Sequence, residues 1–105
     1  MNPLPNQDAT LNIRYDSPDE LWQKMTSIYE RMPGWLGFGK DGIPYWFGFD
    51  GDGNTKMAYA SVEPGGLQIC ANMDNDEWGQ WIASFKQIAS VELGFEVGDV
   101  QDRFI

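Results

Sequence analysis

Two apolar stripes at helical spacing bracket the middle of this chain and dictate most of its architecture. Leu21, Trp22, Met25, Ile28, Tyr29 and Met32 recur with the period that gathers side chains on one side of a helix. Ahead of them, Ser17-Pro18-Asp19-Glu20 offers a serine N-cap, a proline at the first helical position and a glutamate three residues after the serine, which predicts a capping box. Pro33-Gly34 ends the pattern. The second stripe is Trp78, Trp81, Ile82, Phe85, Ile88 and Ala89. Asp74, followed by Asp76 and Glu77, predicts its start, and Leu93-Gly94 its end.

The residues between the stripes read as strands and turns. Trp35 to Gly42 is a glycine-rich connector, and Ile43 to Asp50 a strand dense in aromatics. The two Asp-Gly pairs of Asp50-Gly51-Asp52-Gly53-Asn54 suit the positive φ angles of a hairpin turn, so Thr55 to Val62 is the returning strand. Glu63-Pro64-Gly65-Gly66 predicts a second turn, and Leu67 to Ala71 completes a three-stranded meander. Alternating Leu11, Ile13 and Tyr15 predict a strand from Thr10 to Tyr15, and Phe95 to Val97 a short last one. Residues 1–9 read as a loose arm and 99–105 as an acidic tail. The order β-α-β-β-β-α-β, with two amphipathic helices that each need an apolar partner, predicts one domain over residues 1–105: a two-layer α+β sandwich on an antiparallel sheet.

Composition excludes several kinds of chemistry. With no histidine, neither Ser-His nor Cys-His nucleophile pairs nor imidazole zinc sites can form. The single cysteine, Cys70, rules out an internal disulfide and a CxxC motif, which fits a reducing cytoplasm. Inside a strand and away from any base, Cys70 reads as a small buried hydrophobe. Met1 to Gln7 lacks the cationic start and apolar run of a signal peptide, and no apolar run is long enough to span a bilayer. Seven Lys and Arg against sixteen Asp and Glu give a net charge of −9, which repels phosphate backbones and anionic lipid. Neither direct nucleic-acid binding nor membrane attachment is expected.

Motif-like patterns fail on their details. Gly34-x4-Gly39-Lys40 approaches a P-loop, but Asp41 stands where a hydroxyl must hold magnesium. Gly37-x-Gly39-x-x-Gly42 matches a dinucleotide fingerprint but follows a helix and precedes a strand, the reverse of the required order. Asp50, Asp52 and Asn54 resemble the start of a calcium loop, yet Thr55 and Ser61 replace its glycine and glutamate. The carboxylate pairs Asp50 with Asp52, and Asp74 with Asp76 or Glu77, suit a turn and a helix cap better than acid–base catalysis. No catalytic residue, cofactor or metal is expected.

The aromatic content carries more information. Five Trp, four Tyr and six Phe exceed what two helix stripes and one sheet face absorb. On the strand from Ile43 to Asp50, Tyr45, Phe47 and Phe49 alternate with Trp46, so rings stand on both faces of a sheet that helices cover on one. Rings beside carboxylates suit a protein-binding surface, with the rings as anchors and the charges for steering. Tyr45, Trp46 and Tyr59 are the expected contact rings, and Asp41, Asp50, Asp52 and Glu63 the expected partners of lysine or arginine on a basic protein.

From Leu11 to Asp99 the chain resembles the small acidic immunity proteins of bacterial polymorphic-toxin and contact-dependent growth inhibition systems. The residues carrying the likeness are Ser17-Pro18-Asp19-Glu20-Leu21-Trp22, Pro44-Tyr45-Trp46-Phe47-Gly48 and Leu93-Gly94-Phe95-Glu96-Val97-Gly98-Asp99. The resemblance implies a cytoplasmic antitoxin, not an enzyme, that binds and neutralises a basic toxin domain such as an RNase. Two other classes compete with it. A nucleic-acid mimic of the phage-inhibitor type needs carboxylates spaced like phosphates, whereas here they gather in turns and caps. A small-ligand module would use the Gly34 to Gly42 loop as a lid.

Overall fold

Both helical stripes find the same partner, one side of a five-stranded antiparallel sheet. The computed structural model describes residues 4–49 and 55–100. It runs β1 (Asn6–Leu11), α1 (Asp19–Arg31), β2 (Trp35–Phe38), β3 (Pro44–Trp46), β4 (Met57–Glu63), β5 (Gly66–Asn72) and α2 (Asn75–Leu93). In space the strands lie in the order β1-β5-β4-β3-β2. The fold is therefore the expected α+β sandwich, with a meander at its centre and β1 added beside β5.

One core lies between the layers. Met25, Ile28, Tyr29 and Met32 from α1 and its end meet Trp81, Ile82, Phe85 and Ala89 from α2 over Ala9, Leu11, Trp46, Ala58, Ala60, Leu67, Ile69 and Ala71 of the sheet. The alanines of β4 leave room for large rings above them: Trp46 packs edge-on against Trp81 at 5.1 Å and Tyr29 at 5.5 Å between ring centres. Two indoles also serve the end of α1. Trp46 Nε1 donates to the Tyr29 carbonyl at 3.0 Å and Trp81 Nε1 to the Pro33 carbonyl at 3.1 Å. The first of these carbonyls lies in the last turn of α1 and also accepts from the C-cap Met32 N–H at 3.2 Å, so the indole is its second donor.

The helix ends separate two kinds of signal. Asp74 caps α2 as expected, accepting from the N–H groups of Asp76 and Glu77, and Gly94 stops the helix in the left-handed conformation at φ 80°. At α1 the capping box does not form. Pro18 occupies the N-cap position with no side-chain cap, because the Ser17 hydroxyl donates instead to the Arg14 carbonyl at 2.6 Å.

Four further expectations change. Asn6–Leu11, read in part as an arm, is a full edge strand in register with β5, while the strand expected over Thr10 to Tyr15 ends at Leu11. The glycine-rich connector contains β2, which pairs with β3 through a bulge between Trp35 and Gly37; Gly37, at φ 120°, absorbs the irregularity. The aromatic strand is shorter than expected and ends at Trp46. Phe95 to Val97 forms no strand; the chain there makes one isolated bridge, Leu11 with Asp99. Asn12 holds that segment, donating to the Glu96 carbonyl at 2.9 Å and accepting from the Gly98 N–H at 2.8 Å. The tail beyond residue 100 and the turn at 50–54 lie outside the described residues. Among the described residues, no helix is long and apolar enough to cross a membrane.

Candidate functional site

Residues directly opposite one another in a ladder project from the same side, so the registers define the second face of the sheet. Asp8 stands opposite Cys70, Cys70 opposite Tyr59, and Tyr59 opposite Tyr45. This row crosses four strands. Beside it runs Thr10–Gln68–Ser61, and Glu63 ends β4. Both helices pack on the other side, through the core described above.

An aromatic group occupies the β3 end of this face. Tyr45 lies 6.0 Å from Tyr59 and 5.2 Å from Phe49 between ring centres. Phe49 is 54% exposed. The Tyr45 ring lies against Gly39, where a Cβ would come within 2.7 Å of it, so glycine is needed for the ring to settle over the β2–β3 turn. Phe38, Gly39, Lys40, Asp41, Tyr45 and Phe49 enclose a groove of about 560 Å³ there.

A strained turn separates this group from the core. Phe47 has φ 69°, and the Gly48 N–H donates to the Trp46 carbonyl at 2.8 Å, the hydrogen bond of a γ-turn with positive φ. The turn breaks the alternation of the strand just after Trp46. Phe47 consequently leaves the sheet and packs on Gly34, where an added Cβ would fall 2.5 Å from its ring. On Phe47 sits Lys56, with Nζ 4.0 Å from the ring centre. Lys56 also pairs with Glu77 of α2.

The expected contact residues divide accordingly. Tyr45 and Tyr59 come together on the open face, half-buried. Trp46 does not join them: it is wholly buried beneath the helices, so its assignment as a contact ring is corrected to core. Phe47, grouped with Tyr45 by alternation, is likewise separated from it by the γ-turn. Glu63 is exposed at the end of β4 and accepts from the Ser61 hydroxyl at 2.8 Å. Asp41 is exposed in the β2–β3 turn, where Oδ1 accepts from the Ile43 N–H at 3.1 Å. Asp50 and Asp52 lie outside the described residues.

Two members of the face escaped the sequence reading. Asp8 was hidden in the supposed arm. Cys70, expected to be buried, is half-exposed beside Tyr59. Hydrogen bonding with the Cys70 side chain raises the Tyr59 pKa, and the charges of Cys70, Tyr45 and Glu63 push the same way. Tyr59 is therefore a neutral hydroxyl at physiological pH. The strand residues that define this face include the carboxylates Asp8 and Glu63 and no lysine or arginine. Among the described residues, no three His, Cys, Asp or Glu side chains converge to hold a metal ion.

Comparison of the chain with protein-family models, with curated proteins and with solved structures finds no match.

Proposed function

We propose that this chain is a stoichiometric binding protein that covers a basic polypeptide, acting in the cytoplasm as an immunity protein toward a cationic toxin domain. It works by occlusion and performs no catalysis. The observation that carries this reading is the sheet face left bare by both helices, with Tyr45, Tyr59 and Phe49 at one end and Asp8, Asp41 and Glu63 around them. Tyrosine supplies large contact area together with a polar tip, at a small cost in side-chain entropy. The carboxylates face lysine and arginine that a nuclease would otherwise present to phosphate. A net charge of −9 draws such a partner in and disfavours a second copy of the chain or a nucleic acid.

The test is growth rescue combined with complex formation. A toxin region encoded beside this chain's gene is expressed with and without it, and the purified pair is titrated over a range of salt. The expected result is rescue, a one-to-one complex, and an association rate that falls as salt rises. Rescue and complex formation that persist unchanged in Tyr45→Ala with Tyr59→Ala would contradict the assignment of this face.

A further inference from the structure

A second groove lies on the helix side of the β2–β3 turn, about 450 Å³ in volume, and its chemistry differs from that of the open face. Trp22 and Tyr29 of α1, Phe38 of β2, and Pro44 and Val62 of the sheet line it, and Asp41 is its only ionised lining residue. The rings are partly uncovered: Trp22 is half-buried and Phe38 is 47% exposed. Lys40, the neighbouring cation in sequence, lines the groove on the other side of the turn instead.

Two residues that carry titratable polar groups line this groove. Among the described residues Asp41 forms no ion pair, its one hydrogen bond being that from the Ile43 N–H. Tyr29 also lines the groove and is 5% exposed. Burial raises the Tyr29 pKa, so the group stays a neutral hydroxyl able to donate or accept.

A purely apolar occupant would leave the Asp41 carboxylate without a counter-charge, and an anion would meet it within a field of net charge −9. A planar cation on an aliphatic stem satisfies every part. Its face would stack on the aromatic rings, its N–H donors would pair with the Asp41 carboxylate, and its stem would lie along proline and valine. We infer that this groove receives an arginine side chain of a polypeptide partner. Asp41 and Phe38 line both grooves, so the arginine would enter at the edge of the open face, where the β2–β3 turn joins the two. The inference rests on the proposed function only for the source of that arginine.

The experiment titrates the isotope-labelled full chain with acetyl-arginine amide and, in parallel, with acetyl-citrulline amide, which has the same shape but no charge. The expected result is a set of saturable NMR shifts at the Trp22 indole and the Gly42 and Ile43 amides. Affinity should be millimolar, at least about tenfold weaker for citrulline, and about tenfold weaker for arginine in Asp41→Asn. That variant keeps an acceptor for the Ile43 N–H, and its unchanged spectrum away from the turn verifies its fold. Equal shifts with citrulline, shifts centred on Tyr45 and Tyr59, or no saturation by about 50 mM arginine would each overturn the inference. Because the probe is a single capped residue, such a failure leaves the rescue experiment standing. Loss of rescue with intact arginine shifts would instead remove the proposed function and keep the groove.

Discussion

The two faces of the sheet are built from alternate residues of the same strands, yet they serve opposite ends. On β4 and β5, Ala58, Ala60, Leu67, Ile69 and Ala71 point into the core, while Tyr59, Ser61, Gln68 and Cys70 point away from both helices. The covered face is apolar apart from Gln7, which stands opposite Ala71 at the end of β1, and the alanines of β4 leave space for the rings above them. On the other side Met57 and Asn72 are buried at one end, and the remaining residues tolerate water and still offer contact area: tyrosine, cysteine, glutamine, serine and threonine. Stability is thus concentrated on one side, which leaves the other free to change its chemistry without unfolding the chain.

This division predicts a large asymmetry under mutation. Trp46→Ala removes a fully buried ring that also donates to the end of α1, and should lower stability in urea denaturation by about 3–5 kcal/mol. Tyr59→Ala should lower stability by less than about 1 kcal/mol, since it opens no cavity in the core. Comparable losses from the two variants would show that the open face is a second core, and the comparison would fail.

Binding should reverse the order of importance. With a basic partner bound, Tyr59→Ala and Tyr45→Ala should each weaken the complex by about 2 kcal/mol, roughly a 30-fold change in Kd measured by calorimetry. A complex insensitive to both variants would move the contact surface elsewhere.

Much of the covered side was legible in the sequence. The stripes of both helices, the Asp74 cap, the Gly94 stop and the strands β4 and β5 follow from spacing and turn chemistry alone. Other features depend on tertiary context. Ser17 and Glu20 spell a capping box, but a nearby carbonyl of Arg14 claims the serine. β2 was hidden by glycines that read as a connector until β3 supplied a partner. Alternation placed Tyr45 and Trp46 on opposite sides, but not which side the helices would cover. The γ-turn at Phe47, which ends the alternation, has no local signal, because its positive φ is imposed by packing on Gly34 and under Lys56.

The smallest expected effect is a pH dependence that also distinguishes the faces. Tyr29, on the covered side, is raised by burial, whereas Tyr59, on the open side, is raised first by its hydrogen bond with Cys70. In both cases the folded chain keeps a proton that the unfolded chain releases near about pH 10. The contribution is therefore complete below that pH and lost as the pH rises through the folded-state value. Stability measured against alkaline pH should flatten more in Tyr29→Phe than in Tyr59→Phe. The reverse ranking would mean that Tyr59 is the more deeply held of the two.

Cys70 offers the most direct probe of the central claim, because it is the chain's single cysteine and lies in the middle of the open face between Asp8 and Tyr59. The rate of its alkylation by iodoacetamide reports access to that face without any mutation. The account predicts a measurable rate in the free protein and at least about a tenfold slowing when the basic partner is bound. An unchanged rate in a saturated complex would contradict it.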